Sequence, residues 1–312
     1  MALPCFKSFP GDIPPAPACP ANGWKQQRND CWIDSAFYVM FASDTLRSEF
    51  RNTLIQANSS GHSSLRLFAK LTYNYLLGLG YDAYWQSTCK QSLKRDIGKT
   101  IINYAKVLQA KGNDRLEGFI YADEVGQFID AAGNGNSSLL LQFISAFDTN
   151  IYYDIETPNT FNASCRGTTG TGASRKPIMD FIKQRIDSIN TKGSSAKVLV
   201  IPFTSIDSYK CKNVSRLTEL TSYAGWSLEA LIKGNAVHYT ADVKCSGKWY
   251  SYDDQGISTT RAIANDDWTN KDSVVFLFKK VSVPGGGRKS RRFSTRSNRK
   301  SRHRNRTMKY RY

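Results

Sequence analysis

The sequence predicts an α+β protein in which a helical lobe is followed by a sheet lobe. Apolar residues at three- and four-residue spacing dominate the chain before residue 149, and short runs rich in Val, Ile, Phe and Tyr dominate after it. With 312 residues, 40% of them hydrophobic and 12% aromatic, the chain can bury one large core or two lobes. This composition excludes a wholly disordered protein.

The first half is expected to be mostly helical. Four segments carry apolar residues at helical spacing between Gly- or Asn-rich breaks: Leu65–Leu79, Leu93–Ala110, Ala122–Ala132 and Ser138–Phe147. An earlier helix is expected to begin at or just before Cys31, because the apolar residues that follow it keep the same spacing. Asp30 or Asn29 is a suitable N-cap for that helix.

Strands are expected in the second half. The segments Ile151–Ile155 and Lys197–Phe203 have strand composition, and a helix near Ile178–Ile189 separates them. The sheet is expected to end with Val274–Phe278, which is continuously apolar.

His238 lies in a predicted β-hairpin. Residues 237–245 alternate between apolar and polar side chains, as in a half-buried strand, and the histidine is on the polar face. Ser246-Gly247 is typical of a turn, and Trp249–Asp253 of the returning strand. The histidine is therefore expected to be held by a sheet, near the acidic residues that follow the second strand.

The length of the hairpin loop decides which acid faces the histidine. With a two-residue loop, Cys245 pairs with Lys248, and Asp253 then lies diagonal to His238 on the same face. A loop one residue longer inverts this parity. Asp253 is therefore the predicted acid partner, and Asp254 is held in reserve.

Cys31 is the candidate nucleophile. A helix N-terminus and an imidazolium partner both lower the pKa of a thiol, which is about 8.5 for a free cysteine, so this position is expected to favour the thiolate. Gln26, Gln27, Asn29 and the backbone amides before the cysteine are candidate donors for an oxyanion.

These segments resemble the sequence boxes of the ubiquitin-specific proteases. Asn29-Asp-Cys-Trp-Ile-Asp-Ser-Ala-Phe37 is similar to the cysteine box of that family. His238-Tyr-Thr-Ala241 followed by Gly247-Lys-Trp-Tyr-Ser-Tyr-Asp-Asp254 is similar to the histidine box, and Tyr223–Ile232 to the strand before it. The order Cys, His, Asp also agrees with the family, whereas the interval from Ala42 to Ser222 does not align with it.

The resemblance implies a papain-like fold, with a helical lobe, an antiparallel sheet lobe and a cleft between them. It implies a thiol protease that cuts after the C-terminal glycine of ubiquitin or a ubiquitin-like modifier. In that enzyme Cys31 is the nucleophile, His238 is the general base and then acid, and Asp253 orients the imidazole. The oxyanion donor of the family corresponds to Gln26, with Gln27 and Asn29 as alternatives.

Two departures from the family pattern shape the expectations. Val237 stands where a glycine usually precedes the histidine. The family's zinc-binding fingers need paired Cys-x-x-Cys motifs, and the cysteines at positions 5, 19, 31, 89, 165, 211 and 245 contain none. No metal and no cofactor are therefore expected, and the substrate cradle is expected to be small.

The domain organisation is expected to have three parts. Residues 1–22 are proline-rich and are expected to form an extended arm, followed by a protease domain at residues 23–281. The helical lobe covers about 30–148 and the sheet lobe about 149–281. Residues 282–312 are expected to be a disordered basic tail.

The tail accounts for most of the chain's net charge of +17. Fourteen Lys and Arg and no acidic residue lie between Lys279 and Tyr312. Such a tail can bind nucleic acid by counterion release, which makes nucleic acid a candidate partner of residues 288–312. A nucleic-acid-binding structural protein is thus one alternative to the protease, and an inactive pseudoenzyme that binds a modifier is the other.

The sequence predicts an intracellular location in the cytoplasm or nucleus, of a host cell if the source is a virus. The proline-rich start does not resemble a signal peptide, and no apolar run approaches the ~18 residues that span a membrane. Seven scattered cysteines, an odd number, are typical of a reducing compartment.

Overall fold

The computed structural model describes residues 5–14, 23–79, 83–116, 136–154, 175–203, 222–234, 238–255, 261–262 and 273–281. The chain divides into two units, Met1–Val281 and Ser282–Tyr312, and every described residue belongs to the first. The expected helix Ala122–Ala132 and the basic tail lie outside the described residues. Nucleic-acid binding by the tail therefore stays a prediction.

Six α-helices are present among the described residues. They are α1 (Cys31–Phe41), α2 (Arg47–Asn58), α3 (Ser63–Leu76), α4 (Ala83–Ala110), α5 (Ser137–Phe147) and α6 (Arg175–Thr191). A short 3₁₀ turn, Asp114–Leu116, follows α4. In this part of the chain no helix is both long and apolar enough to cross a membrane.

Seven strands form one sheet in the described residues. They are β1 (Ile151–Tyr153), β2 (Val198–Phe203), β3 (Trp226–Gly234), β4 (Tyr239–Cys245), β5 (Lys248–Tyr252), β6 (Arg261–Ala262) and β7 (Ser273–Lys280). Their order across the sheet is β1-β2-β7-β3-β4-β5-β6. The predicted α+β class is confirmed.

The expectation of an antiparallel sheet is wrong at one edge. Ile151 of β1 pairs with Val198 of β2 in a parallel ladder, while the other pairings described are antiparallel. Parallel neighbours need a crossover connection, and α6 lies between these two strands in the chain. The sheet is therefore mixed.

The helices and the sheet share one core. The expected papain-like arrangement, with two lobes and a cleft between them, stays a prediction. Side chains of α1 to α5 form a continuous apolar cluster with one face of the sheet, where Val200, Ile232 and Val243 lie. The opposite face packs against α6 through Ile182 and Ile186. Helix α1 is buried along its whole length, which is possible because its sequence has apolar residues on every side.

The hairpin between β4 and β5 has the two-residue loop that the sequence predicts. Cys245 pairs with Lys248, and Ala241 pairs with Tyr252. Ser246 and Gly247 have φ angles of 48° and 79°, the left-handed conformation that two-residue hairpin loops require at both positions. This turn fixes the register that places the acids after β5 next to the start of β4.

The N-terminal arm is attached to the helices through residues 5–14. Cys5 forms a disulfide with Cys89 of α4, with 5.3 Å between the Cα atoms. The side chain of Asn74 brackets the backbone of Lys7, accepting from its N–H at 2.7 Å and donating to its carbonyl at 2.8 Å. Asp12 pairs with Arg51.

Some of the cysteines form disulfides. Cys5 and Cys89 are paired, Cys245 is disulfide-bonded as well, and Cys31 is the free cysteine among the described residues. Disulfides are typical of oxidising surroundings rather than of a reducing compartment. The predicted compartment therefore stays a prediction, and these disulfides count against it.

Replacing Gly23 with alanine is expected to destabilise the fold by about 1–3 kcal/mol or more through overpacking. A Cβ at this position would overlap the ring of Tyr252. That ring cannot easily move, since it stacks on Tyr38 at 4.1 Å and its hydroxyl donates to the Trp24 carbonyl at 2.6 Å. Thermal unfolding measures the effect.

The matched control is Gly61→Ala. Gly61 has open space around the position of a Cβ, so the unfolding temperature of this variant is expected to stay close to that of the wild-type protein. Equal unfolding temperatures for the two variants would contradict the close packing of Gly23 on Tyr252.

Candidate active site

Cys31 is the first residue of α1, where the sequence predicts it. The residue is 6% exposed. Asp30 occupies the N-cap position, but its side chain makes no capping hydrogen bond. Its carboxylate instead accepts from the amide of Gln27 at 3.0 Å and pairs with Lys90, so the expected cap is not formed by the Asp30 side chain.

The expectation that this position favours the thiolate is wrong for the protein alone. Burial raises the pKa of the Cys31 thiol from 9.0 to about 12, and the nearby charges of Asp254, Asp34 and Asp30 raise it further. A hydrogen bond from the backbone amide of Tyr239 acts in the opposite direction without balancing these effects. The loss of hydration and the three acids together raise the thiol pKa by more than a helix N-terminus lowers it.

The structure brings Cys31 to the start of β4. The Tyr239 amide that faces the Cys31 sulfur belongs to the residue directly after His238. His238 is itself 7% exposed, so the thiol and the imidazole are both shielded from water. Residues that are far apart in the sequence thus meet where α1 packs against β4.

His238 lies beside both acids that follow β5. Its Nε2 is 2.9 Å from Oδ1 of Asp253 and 3.7 Å from Oδ1 of Asp254. The shorter contact is a hydrogen bond to a half-exposed side chain, whereas the Asp254 side chain is fully buried. The Nε2 end of the ring faces the acids, and the other ring nitrogen, Nδ1, is buried.

Asp254 differs sharply from Asp253 in its surroundings. Burial raises the pKa of Asp254 to about 9, and the charge of Asp34 adds to the increase. Asp254 is therefore protonated at neutral pH, when a carboxylate is needed to stabilise an imidazolium. Asp253 is consequently the better partner for a charged His238.

Lys90 and Asp34 are parts of the site that sequence reasoning missed. The side chains of Lys90, Asp30 and Asp34 are fully buried, and the Lys90 Nζ lies 2.8 Å from Asp30 and 2.5 Å from Asp34. Burial lowers the pKa of Lys90, but Asp34 and Asp30 outweigh it and raise the pKa overall. A signal was available, because Lys90 and Lys94 interrupt the apolar stripe of Cys89, Leu93 and Ile97 on α4.

The candidate oxyanion donors lie on the segment that leads into α1. The backbone amide of Gln26 donates to the Asp254 carbonyl at 2.8 Å, and that of Gln27 donates to Asp30. Asn29 has a φ of 46°. Two of the preceding amides are therefore engaged elsewhere, so the Gln26 side chain and the amide of Cys31 in the first helical turn are the better candidates.

Among the described residues, two groups of side chains have the spacing of metal ligands. His238, Asp253 and Asp254 form one group, and Asp30, Asp34 and Asp254 form the other, with ligand atoms within 4.8 Å of one another in each. In the second group the ammonium of Lys90 already supplies a cation to Asp30 and Asp34. The first group consists of the histidine and the two neighbouring acids, which are the residue types that a proton transfer from a thiol requires.

No protein-family model matches the chain, and no curated protein matches it in sequence. Solved structures that resemble it include the SAGA DUB module Ubp8/Sgf11/Sus1/Sgf73 bound to ubiquitin aldehyde. That likeness has a TM-score of 0.41 and 9% identity, and covers 86% of this chain and 72% of the other.

A second structure of the Ubp8 module, bound to monoubiquitin, has the same TM-score of 0.41 and 9% identity, with coverages of 84% and 69%. A likeness this distant decides neither family nor function, so the function has to be inferred from the residues of the site.

Proposed function

We propose that this protein is a cysteine hydrolase that cleaves after the C-terminal glycine of ubiquitin or a ubiquitin-like modifier. Cys31 is the nucleophile, His238 the general base and acid, and Asp253 the residue that orients the imidazole. Gln26 helps to hold the oxyanion. The observation that carries the proposal is the buried contact of α1 with the start of β4, where His238 hydrogen-bonds Asp253 at 2.9 Å.

The chemistry follows from these positions. The Cys31 sulfur attacks the carbonyl carbon of the terminal glycine while His238 takes the thiol proton, and the negative charge moves to the carbonyl oxygen. Collapse breaks the C–N bond, and His238 returns the proton to the leaving amine. Water, deprotonated by His238, then attacks the thioester carbonyl, and the C–S bond breaks as His238 returns this proton to the Cys31 sulfur. The modifier is released with a free carboxyl end.

The raised pKa of Cys31 favours one version of this mechanism. With a thiol pKa of about 12, a thiolate–imidazolium pair is not the resting state at neutral pH. Proton transfer to His238 therefore accompanies the attack on the carbonyl instead of preceding it.

The substrate class rests on the sequence resemblance. The segments around Cys31 and His238 are similar to the two boxes of the ubiquitin-specific proteases. The choice between ubiquitin and another modifier is open to direct test with probes that differ only in the modifier.

One observation favours a second candidate, an inactive protein that binds a modifier. The Cys31 thiol is buried, and the charges of Asp34 and Asp30, together with that of Asp254 once it is ionised, oppose its ionisation. A protein under no requirement to ionise the cysteine could retain such surroundings. This candidate keeps the binding function and loses the covalent step.

Ubiquitin with a C-terminal electrophile is expected to form a covalent adduct with the wild-type protein but not with Cys31→Ala. Intact-mass measurement detects the addition of one modifier. Binding of unmodified ubiquitin to both proteins, measured by calorimetry, controls for loss of the fold in the variant.

The other outcomes separate the candidates. Binding without an adduct supports the inactive modifier-binding protein. An adduct with a ubiquitin-like modifier alone keeps the hydrolase and changes its substrate, whereas an adduct that survives in Cys31→Ala contradicts the assignment of the nucleophile.

A further inference from the structure

Helix α4 holds the segment before Cys31 from one side. Lys90 Nζ donates to the Lys25 carbonyl at 2.6 Å, and Lys94 Nζ donates to the Arg28 carbonyl at 2.5 Å. Between them, Gln91 Nε2 donates to the Asp30 carboxylate at 3.2 Å. These side chains lie on neighbouring turns of one helix, so they form a single row of donors.

The row sets the direction of the peptide groups in residues 25–30. In a trans peptide the C=O and the following N–H point in opposite directions. The Lys25 carbonyl faces Lys90, and the Gln26 N–H correspondingly points away from α4 and donates to the Asp254 carbonyl at 2.8 Å. The Arg28 carbonyl points toward Lys94, so the N–H of Asn29 in the same peptide group points away from α4.

Lys90 and Lys94 are both buried, which is rare for lysine side chains. Lys90 is 0% exposed and Lys94 is 5% exposed. Burial lowers the pKa of Lys94, which shows that its surroundings disfavour the ammonium. Lys90 pairs directly with two buried acids, whereas the charges of Asp30, Asp34 and Cys31 raise the pKa of Lys94 without balancing its burial. The hydrogen bond described for Lys94 is to a backbone carbonyl.

We propose that Lys94, supported by Lys90, is a positioning residue that fixes the oxyanion-binding segment before Cys31. The proposal rests on the proposed hydrolase function, since an oxyanion forms only during acyl transfer. Lys94 touches neither the substrate nor the reacting atoms in this scheme, and acts through the Arg28 carbonyl on the orientation of the loop.

The test compares Lys94→Met with Lys99→Met. Both changes remove one lysine from α4, but Lys99 is exposed, so the second variant controls for helix content and net charge. Lys94→Gln, which keeps a hydrogen-bond donor, is measured as well in case methionine at this position prevents folding. Circular dichroism and thermal unfolding establish that each variant is folded.

Two reactions of the same cysteine distinguish positioning from activation. Lys94→Met is expected to lower kcat on a fluorogenic ubiquitin amide by about 10- to 100-fold with KM nearly unchanged, because a displaced donor weakens transition-state stabilisation. Alkylation of Cys31 by iodoacetamide forms no oxyanion, so its rate is expected to fall only by the few-fold effect of losing the Lys94 charge near the thiol, which is less than the loss in kcat. Equal losses in both reactions would overturn the proposal, as would unchanged turnover.

Hydrogen exchange separates failure of this inference from failure of the proposed function. In Lys94→Met the amides of residues 26–31 are expected to exchange at least severalfold faster than in Lys99→Met, whether or not the protein cleaves ubiquitin. Unchanged exchange means that Lys94 does not hold the segment. Faster exchange in a protein that turns over no modifier would mean that Lys94 holds the segment before Cys31. It would also contradict both the catalytic role of Lys94 and the proposed hydrolase function.

Discussion

His238→Ala is expected to lower kcat/KM for a ubiquitin amide by about a thousandfold or more, because His238 is the proposed base for the Cys31 proton. The effect is expected to be unusually large for a cysteine enzyme. A thiol with a pKa of about 12 has almost no thiolate at neutral pH, so the reaction cannot proceed through spontaneous ionisation. Steady-state kinetics at pH 7.5 measures the loss.

The neighbouring acids provide a matched pair of variants in the same experiment. Asp253→Asn removes the charge at 2.9 Å from His238 Nε2 and is expected to lower kcat about 10- to 1000-fold, since Asn cannot stabilise the imidazolium as a carboxylate does. Asp254→Asn replaces a carboxyl group that is neutral at this pH, so turnover is expected to change little. A larger loss for Asp254→Asn than for Asp253→Asn would reverse the assignment of the orienting acid.

The pKa of Asp254 also determines how the stability of the fold changes with pH. Its folded-state value of about 9 lies above the ordinary value of 3.8, so the folded protein binds a proton that the unfolded chain releases between these pH values. Its burial therefore costs increasing stability as the pH rises through this window. Asp254→Asn is expected to unfold at a higher temperature than wild type at pH 8, and the difference should shrink toward pH 4.

The local parts of the site could be predicted from the sequence because they depend on short-range geometry. A helix beginning at Cys31 follows from apolar spacing, and the pairing of Cys245 with Lys248 follows from the conformations that Ser-Gly can adopt in a two-residue loop. That register brings both acids that follow β5 next to His238, with Asp253, the acid expected from a two-residue loop, at the shorter distance.

The electrostatics could not be predicted in the same way because they depend on burial and on distant segments. Lys90 is far from Asp30 in the chain, and it reaches Asp30 and Asp34 only when α4 packs beside α1. The sequence suggested a helix from Leu93, whereas α4 begins at Ala83, so Lys90 was not recognised as part of its buried face. The parallel pairing of β1 with β2 is likewise a property of the tertiary fold.

Other elements were missed because their sequences carry weak signals. Helix α2 has only a few apolar positions among charged and polar residues, and it is held by packing of Phe50 and Leu54 on the common core. Strand β6 is two residues long, below the length at which a period of two can be recognised.

The alkylation rate of Cys31 by iodoacetamide is expected to keep rising about tenfold per pH unit beyond pH 9, where an ordinary thiol levels off. The reason is the pKa of about 12, which burial and the surrounding acids produce. At pH 7 the thiolate fraction is then about a thousandfold below that of a thiol with the usual value of 9.0. Peptide mapping by mass spectrometry follows Cys31 separately from the other cysteines.

Substitutions of the charged and titratable groups around Cys31 test what raises the pKa of its thiol. Among the described residues they include Asp30 and Asp34 on the α1 side, Lys90 and Lys94 on α4, His238 directly before β4 and Asp254 after β5. Asp34→Asn removes one opposing charge and is expected to raise the alkylation rate at pH 8 severalfold, whereas Asp44→Asn, which changes an acid outside this group, is expected to leave it unchanged.

The shape of the pH profile bears directly on function. A rate that levels off near pH 7 would contradict the buried, unionised thiol and point to a thiolate already formed in the free protein. A rate that rises past pH 9 in a protein that also cleaves ubiquitin requires His238 to remove the proton during attack. The same steep profile without cleavage would mean that the acids around Cys31 keep the thiol inert, as expected of a protein that only binds its modifier.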